Sequence, residues 1–319
     1  MRPLSCLLSL LAWLPFHTVA RGQCQLDWES ANARPDLGGN GLCSTSWDPD
    51  GAGPAIARLV VGGNALVGGT STQAGKVATF DGTRWTTLGT GPGTAGEVRA
   101  LTVWNGQLIA GGTFTGGGTD RIAAWNGTSW QPLGAGAPTV VTALTVWNSL
   151  LVAVGYFTTP ALASVRTWDG SSWTTLPNPP NLQFALATIS YQGSLCVGGY
   201  RVTGSQGLGV FERWNGSTWA TSVTATDSAN QFGKITCFSV RGSLAVGGTD
   251  TLYAGGTFTS IGGVTAVALA STTGGTSFNW SAVGSNLASG CVAVHARPVG
   301  LTGYTVTAAF TGGGNLVRQ

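Results

Sequence analysis

One sequence block recurs along this chain of 319 residues, and its period constrains the fold more than any other feature. The block opens with an apolar segment, seen at 98–112 (VRALTVWNGQLIAGG), 141–155 (VTALTVWNSLLVAVG) and 185–199 (ALATISYQGSLCVGG). It closes with an aromatic pair, as in WNGTSWQPLG at 125–134. The closing Trp recurs in steps of 45, 43 and 46 residues, at Trp85, Trp130, Trp173 and Trp219. A fixed period of this length indicates a repeat architecture.

Each repeat contains four predicted β-strands. Residues 98–104 and 107–112 alternate in polarity around Asn105-Gly106, a pair typical of a two-residue hairpin turn. A second hairpin is predicted around Asn126-Gly127, where a two-residue loop would make Trp125 and Trp130 diagonal neighbours on one face. Four strands in 43 to 46 residues match one blade of a β-propeller. The sequence therefore predicts an all-β propeller of four-stranded blades.

Two counts predict six blades. The Trp of the outer strand occurs six times, at Trp47, Trp85, Trp130, Trp173, Trp219 and Trp280. A small residue marks the first, innermost strand six times, at Ala57, Ala100, Ala143, Ala187, Cys237 and Ala293. Trp280 follows Trp219 by 61 residues, and we place the extra residues around Gly247–Gly256.

The N-terminal strand is predicted to close the ring. Trp47 precedes the first complete repeat, so residues 42–48 are expected to complete the last blade by pairing with 315–319. Such a closure would remove two open sheet edges, which otherwise favour aggregation.

The composition excludes several other classes. Gly accounts for 51 residues and Trp for 13, whereas charged residues make up only 8%. Exposed helix faces need charged residues, and Glu occurs only three times, so the composition disfavours a helical architecture. The net charge is +3 and the basic residues are scattered singly. We therefore predict neither nucleic-acid binding nor attachment to anionic membranes.

The N-terminus has the pattern of an export signal. Arg2 precedes an apolar run from Leu4 to Phe16, and Ala20 offers a small residue for cleavage. The run is shorter than the roughly 20 residues that a bilayer span needs, so no membrane span is predicted. We predict a signal peptide at 1–20, an N-terminal extension at 21–41 and the propeller at 42–319. The protein is expected to be secreted, periplasmic or on the cell surface.

Five cysteines follow the predicted signal peptide. In an oxidising compartment, Cys24 and Cys43 are predicted to form a disulfide around a segment rich in Gly, Asn and Asp. Cys237 is interpreted as a small buried residue in the place of Ala, and a disulfide with Cys196 or Cys291 is the alternative. No pair has the C-x-x-C spacing that would indicate zinc.

The repeats resemble those of kelch-type proteins. The shared features are an apolar strand, a Gly-Gly pair after it (111–112 and 198–199, for example), an aromatic residue and a later Trp. Kelch repeats carry a longer connection between the aromatic residue and the Trp, which are five residues apart here. The W-N-G-x-x-W-x-x-L-G form is similar to repeats of large exported bacterial propellers and of a fungal cell-surface polarity marker. The resemblance implies a propeller that binds or scaffolds, and it transfers no catalytic residue.

No catalytic, cofactor-binding or metal-ligating set is predicted. Some kelch-like propellers, such as galactose oxidase, hold copper through His and Tyr, but His295 is the single histidine after the predicted signal peptide. A site built on several imidazoles cannot be assembled from one. A propeller enzyme of this kind is therefore the least favoured alternative.

The favoured function is binding, because loops on a rigid scaffold commonly carry function. The loops predicted here are polar, uncharged and close to aromatic residues, which suits a protein or carbohydrate partner. Tyr156, Phe157 and Tyr200 are the candidate contact residues. We expect a monomer without a cofactor. A structural repeat component of the cell envelope or matrix is the alternative.

Overall fold

The structure is a computed structural model of the chain. It describes residues 37–68, 75–137, 140–156, 163–177, 179, 181–228, 232–242, 249–274, 278–284, 287, 290–299 and 303–310. All of these belong to one compact unit, Pro35–Gln319. The predicted signal peptide, Cys24, Phe157 and residues 315–319 lie outside the described residues.

The described residues form 24 strands and no helix, and the strands pair into antiparallel sheets in chain order. The first sheet contains β1 (Leu37–Trp47), β2 (Arg58–Gly68), β3 (Gly75–Phe80) and β4 (Trp85–Thr87). The second contains β5 (Val98–Trp104), β6 (Gln107–Gly112), β7 (Ile122–Trp125) and β8 (Trp130–Pro132). The third contains β9 (Val140–Trp147), β10 (Leu150–Tyr156), β11 (Ala163–Trp168) and β12 (Trp173–Thr175).

The remaining three sheets vary this plan. The fourth contains β13 (Phe184–Tyr191), β14 (Ser194–Thr203), β15 (Gln206–Trp214) and β16 (Trp219–Thr226), extended by β19 (Ser260–Ile261) and β20 (Val264–Thr265). The fifth contains β17 (Lys234–Arg241), β18 (Thr251–Thr257), β21 (Leu269–Thr272) and β22 (Ser281–Ala282). The sixth has two strands within the described residues, β23 (Cys291–Val299) and β24 (Gly303–Phe310). The result is an all-β, propeller-like fold.

Two-residue turns join the first and second strands of three sheets. Asn105 and Gly106 have φ values of 48° and 77°, as a type I′ hairpin turn requires at both central positions. Positive φ recurs at the two other equivalent turns, Asn148-Ser149 and Gln192-Gly193. The Asn105-Gly106 turn was predicted from sequence and is confirmed.

The hairpin between the third and fourth strands differs from the prediction. Trp125 pairs directly with Trp130, with ring centroids 5.4 Å apart, so the two are not diagonal neighbours. The Asn126 Oδ1 atom accepts hydrogen bonds from the amides of Thr128 (2.9 Å) and Ser129 (2.8 Å). These bonds close a turn of four residues rather than two, and the longer turn brings the two Trp directly opposite each other.

The prediction for residues 42–48 is wrong. Residues 42–47 lie in β1, where Trp47 pairs with Arg58 of β2, so this strand is the first of the first sheet and not the outer strand of the last. A register shift precedes Cys43 in β1, just as one precedes Ala100 in β5 and Ala187 in β13. The bulge and the small residue after it therefore identify β1 as a first strand.

Cys43, and not Ala57, occupies the small-residue position of the first sheet. Cys43 pairs with Gly62, as Ala100 pairs with Gly111 in the second sheet. Ala57 is exposed and precedes β2, in the connection 48–57. This connection has ten residues where the equivalent turns have two, which hid the first strand from a search based on spacing.

The extra residues before Trp280 lie partly where they were predicted. Nine residues separate β17 from β18, where the equivalent turns have two, and this connection overlaps the predicted 247–256. Residues 251–257, however, form the regular strand β18, and a hairpin, β19–β20, follows it. Ser260 and Ile261 of this hairpin pair with Thr226 and Ala225 of β16 in the preceding sheet. This hairpin therefore links the fourth and fifth sheets.

The other repeat Trp residues lie at or beside the fourth strands. Trp85, Trp130, Trp173 and Trp219 begin these strands, and Trp280 directly precedes β22. Three of their indole Nε1 atoms donate to a carbonyl oxygen of the preceding repeat: Trp130 to Leu88 (3.0 Å), Trp173 to Leu133 (2.9 Å) and Trp219 to Pro177 (2.7 Å).

The core consists of layers between successive sheets. Each of five apolar clusters combines buried residues of two consecutive sheets. Between the second and third sheets, for example, Ile109 and Ile122 pack with Leu151 and Trp168. Sheets buried on both faces leave few positions for charged residues, which accounts for the low charged fraction of the chain.

Candidate partner-binding site

Two of the three predicted contact residues occupy the same position in neighbouring repeats. Tyr156 ends β10 and pairs with Val140, and Tyr200 of β14 pairs with Phe184. Each tyrosine lies directly after the buried part of the second strand of its sheet. The second and fifth sheets carry Thr113 and Thr257 at this position.

Phe184 connects the two tyrosines. Its ring stacks on that of Tyr200, with centroids 4.6 Å apart and an interplanar angle of 11°. Tyr156 meets Phe184 edge to face at 5.2 Å. Both arrangements are favourable geometries for aromatic pairs. The third and fourth sheets are therefore joined by three aromatic rings, each of them half-buried.

Phe232, which precedes β17, and Lys234, the first residue of β17, extend this row. Phe232 meets Tyr200 edge to face at 6.3 Å, and the Lys234 Nζ atom lies 5.0 Å from the Tyr200 ring centroid and 5.4 Å from that of Phe232. Both distances fall within the range of cation–π attraction. We call Tyr156, Phe184, Tyr200, Phe232 and Lys234 the aromatic ladder.

A glycine makes room for Phe232. Gly207 and Phe232 form an isolated parallel bridge, and the Gly233 amide donates to the Gly207 carbonyl oxygen at 2.8 Å. A Cβ atom at position 207 would overlap the Phe232 ring. The ladder thus depends on the absence of a side chain at Gly207.

Polar groups lie beside the ladder. The Arg201 Nη1 atom donates to Asn181 Oδ1 at 3.1 Å, and the Asn181 amide donates to the buried carboxylate of Glu212 at 3.2 Å. Burial raises the pKa of Tyr200, and the nearby Tyr156 hydroxyl raises it further. The Tyr200 hydroxyl therefore stays protonated at neutral pH and can donate a hydrogen bond.

Sequence reasoning found part of this ladder. Tyr156 and Tyr200 are brought together, while Phe157 lies outside the described residues. Phe184, Phe232 and Lys234 were missed. A comparison of the residues that begin the first strands could have found Phe184 and Lys234. The fourth and fifth sheets have these residues at the position where the third sheet has Val140, so their side chains depart from the repeat.

A second feature is a central cavity of about 580 Å³. It is lined by residues of all six first strands, β1, β5, β9, β13, β17 and β23. The predicted small residues Ala100, Ala143, Ala187, Cys237 and Ala293 all line it, with Cys43 as the sixth. Leu42 and Val292 are 49% and 51% exposed there, so part of its wall is apolar.

The described cysteines are all free thiols. Cys43 points toward the Val98 carbonyl oxygen at 3.9 Å, and burial raises its pKa to about 12. Its predicted partner, Cys24, lies outside the described residues, so that disulfide stays a prediction. Cys196 is buried in β14, whereas the Sγ atoms of Cys237 and Cys291 lie 3.9 Å apart.

The candidates for metal chemistry are dispersed. His295 is exposed on β23. Within the described parts of the chain, no three residues of the types His, Cys, Asp and Glu cluster as metal ligands would. No helix among those parts has the length and apolarity to cross a membrane.

Comparisons with known proteins give a similarity in structure and none in sequence family. No protein-family model matches the chain, and no curated protein matches it. Among solved structures, it is similar to the extracellular domain of the one-component system BT4673 from B. thetaiotaomicron, with a TM-score of 0.42 and 11% identity. The similarity covers 87% of this chain and 39% of the other, so this chain spans less than half of that protein's length. Function is therefore inferred from this chain's own residues.

Proposed function

We propose that the chain is an exported, kelch-like β-propeller of six blades that binds a protein or glycan partner through the aromatic ladder and performs no catalysis. The row of half-buried rings, which runs from the third sheet across the fourth to the segment before β17, is the observation that carries this proposal.

The six-bladed arrangement is supported by the central cavity. First strands that belong to six different sheets contribute to its wall, as the innermost strands of a propeller do. Consecutive sheets also pack face to face through apolar layers, which is how blades bury their surfaces.

A binding role is supported by the way the ladder departs from the repeat. Thr113 and Thr257 stand where the ladder has Tyr156 and Tyr200, so the fold does not require an aromatic ring at this position. Half-exposed tyrosines offer apolar area and a hydroxyl at low conformational cost, and tyrosine is enriched at binding hot spots.

The chemistry of the ladder favours a partner rich in hydrogen-bond acceptors. Lys234 and Arg201 are positively charged, and the tyrosine hydroxyls can donate hydrogen bonds. Glycans and exposed peptide backbones offer hydroxyl, carboxylate and carbonyl oxygens together with apolar patches. The rings are preorganised against one another, so little side-chain entropy is lost when a partner binds.

The test replaces the tyrosines with threonine, which stands at the same position in the second and fifth sheets. A double variant, Tyr156→Thr with Tyr200→Thr, should fold normally and bind its partner at least ~10-fold more weakly, because two central aromatic contacts are lost. Binding is measured on a glycan array and by capture from a native envelope fraction, followed by titration of the partner found.

Leu59→Thr is the matched control, because Leu59 is an apolar side chain that is 45% exposed on the first sheet, outside the ladder. It should bind as the unchanged protein does. Equal binding by the double variant and the control would contradict the proposal and favour a structural role in the envelope or matrix.

A further inference from the structure

We infer that Cys237 and Cys291 are an oxidisable pair whose disulfide would join the fifth and sixth sheets beside the central cavity. Their Sγ atoms are 3.9 Å apart, in contact but not bonded. Cys237 belongs to β17 and Cys291 begins β23, so the bond would cross between two sheets that share no strand pairing in the described residues.

The two backbones are already held together at this point. The Thr236 Oγ1 atom donates to the Cys291 carbonyl oxygen at 2.6 Å. A disulfide has an S–S distance of about 2.05 Å, so the sulfurs must approach each other by rotation of the two side chains. The neighbouring hydrogen bond keeps the strands in place during that rotation.

A glycine leaves the space that the sulfurs occupy. Gly255 pairs with Cys237 across the fifth sheet. A Cβ atom there would lie 2.6 Å from the Sγ atoms of both Cys237 and Cys291. Any larger residue at position 255 would therefore separate the thiols.

The central cavity gives a small oxidant access to the pair. Cys237 lines this cavity, whereas Cys291 is fully buried behind it. A hydroperoxide that enters the cavity meets Cys237 first. The Cys237 sulfur attacks the peroxide, the O–O bond breaks, the thiol proton passes to the departing oxygen, and a sulfenic acid forms with release of water or an alcohol.

Cys291 completes the reaction. Its thiolate attacks the Cys237 sulfur, the S–O bond breaks, and the oxygen leaves as water after it takes up a proton. The products are one disulfide and two molecules of water, or one of water and one of alcohol when the oxidant is an organic hydroperoxide, and the two electrons lost by the thiols reduce the peroxide. The pair would become a covalent link between strands of two different sheets, and such a bond persists in the oxidising compartment that the proposed function, export, implies.

The test treats the full-length purified protein with hydrogen peroxide. Mass spectrometry of the digested, alkylated protein should find a linked peptide pair containing Cys237 and Cys291, and the midpoint of urea unfolding should rise. Cys237→Ala should abolish the link and still fold, because Ala100, Ala143 and Ala187 occupy the same position in other sheets. Cys196→Ala is the control and should leave the link intact.

Two results would overturn the inference. One is complete alkylation of both cysteines after peroxide treatment and denaturation. The other is an unchanged yield of linked peptides in Cys237→Ala, which would assign oxidation to a different pair. Gly255→Ala should lower the yield of the link several-fold, and an undiminished yield would contradict the role given to the space at Gly255.

Discussion

The indole Nε1 atom of Trp104 donates a hydrogen bond of 2.8 Å to the carbonyl oxygen of Ser149. Trp104 ends the first strand of the second sheet, and Ser149 lies in the first hairpin turn of the third. Each of three further sheets is tied to the next in this way, by Trp47 to Gly106 (3.0 Å), Trp147 to Gly193 (2.9 Å) and Tyr191 to Asp250 (2.8 Å).

This bond predicts a measurable contribution to stability. Trp104→Phe should lower the free energy of unfolding by about 1 kcal/mol more than packing alone would, because a partly buried carbonyl loses its donor. Trp168→Phe is the control: both indoles are 6% exposed, but the Trp168 Nε1 atom has no hydrogen-bond partner in the described structure. Urea unfolding of both variants measures the difference, and equal losses would contradict it.

Two aspartates in the turns between third and fourth strands lead us to expect that the protein loses stability in acid. Hydrogen bonds from the amides of Ser172 and Ser171 hold the pKa of Asp169 well below its ordinary value of 3.8, and the Thr83 hydroxyl does the same for Asp81. A pKa lowered on folding stabilises the folded state above the ordinary value, and this stabilisation is lost as the pH falls below about 4.

Replacing both carboxylates should remove this pH dependence. Asn126 and Asn215 stand at the same turn position and accept the same amide hydrogen bonds. Asp81→Asn with Asp169→Asn should therefore keep its stability at neutral pH and lose less of it on acidification. Urea midpoints measured across the acidic range decide this, and parallel curves for both proteins would refute it.

The space at Gly207 allows the packing of Phe232 in the aromatic ladder to be tested. Gly207→Ala should displace Phe232 and cost about 1–3 kcal/mol, because the added methyl group overlaps the ring. Gly242→Ala is the control, since a Cβ atom there meets nothing closer than 3.8 Å. Urea unfolding gives the cost, and a neutral Gly207→Ala variant would mean that Phe232 can move freely.

The predicted Cys24–Cys43 disulfide can be tested through the effect of Cys43→Ala on the free energy of unfolding. Cys43 occupies the position that Ala100 holds in the second sheet, so Cys43→Ala should cost less than about 1.5 kcal/mol if Cys43 only packs. Loss of a stabilising disulfide would cost about 2–4 kcal/mol under oxidising conditions and nothing extra under reducing ones. Unfolding measured in both conditions separates the two roles.

Local features of the fold were predictable. The Asn105-Gly106 turn and the Trp that begin the fourth strands follow from short-range sequence patterns, which depend on backbone conformation at one or two positions. The four-residue turn at Asn126 was missed because its closure depends on a side-chain oxygen that accepts two backbone amides.

The pairing of strands that are distant in the sequence was harder to predict. The strand β1 was assigned to the wrong sheet because its ten-residue connection to β2 breaks the spacing of the repeat. Its bulge and its indole bond to Gly106 reveal the correct place, and both exist only after the sheets have assembled.

The sequence by itself determined that this chain is all-β and built from repeated four-stranded units, because period, turn residues and aromatic spacing are local properties. Only the tertiary structure decided which residues meet between sheets. Tyr156 and Phe184 come from two sheets and Phe232 from the segment before β17, and Cys237 and Cys291 come from two sheets, so no spacing within one repeat could bring them together. The repeat specifies each sheet, and the packing of successive sheets creates the candidate sites.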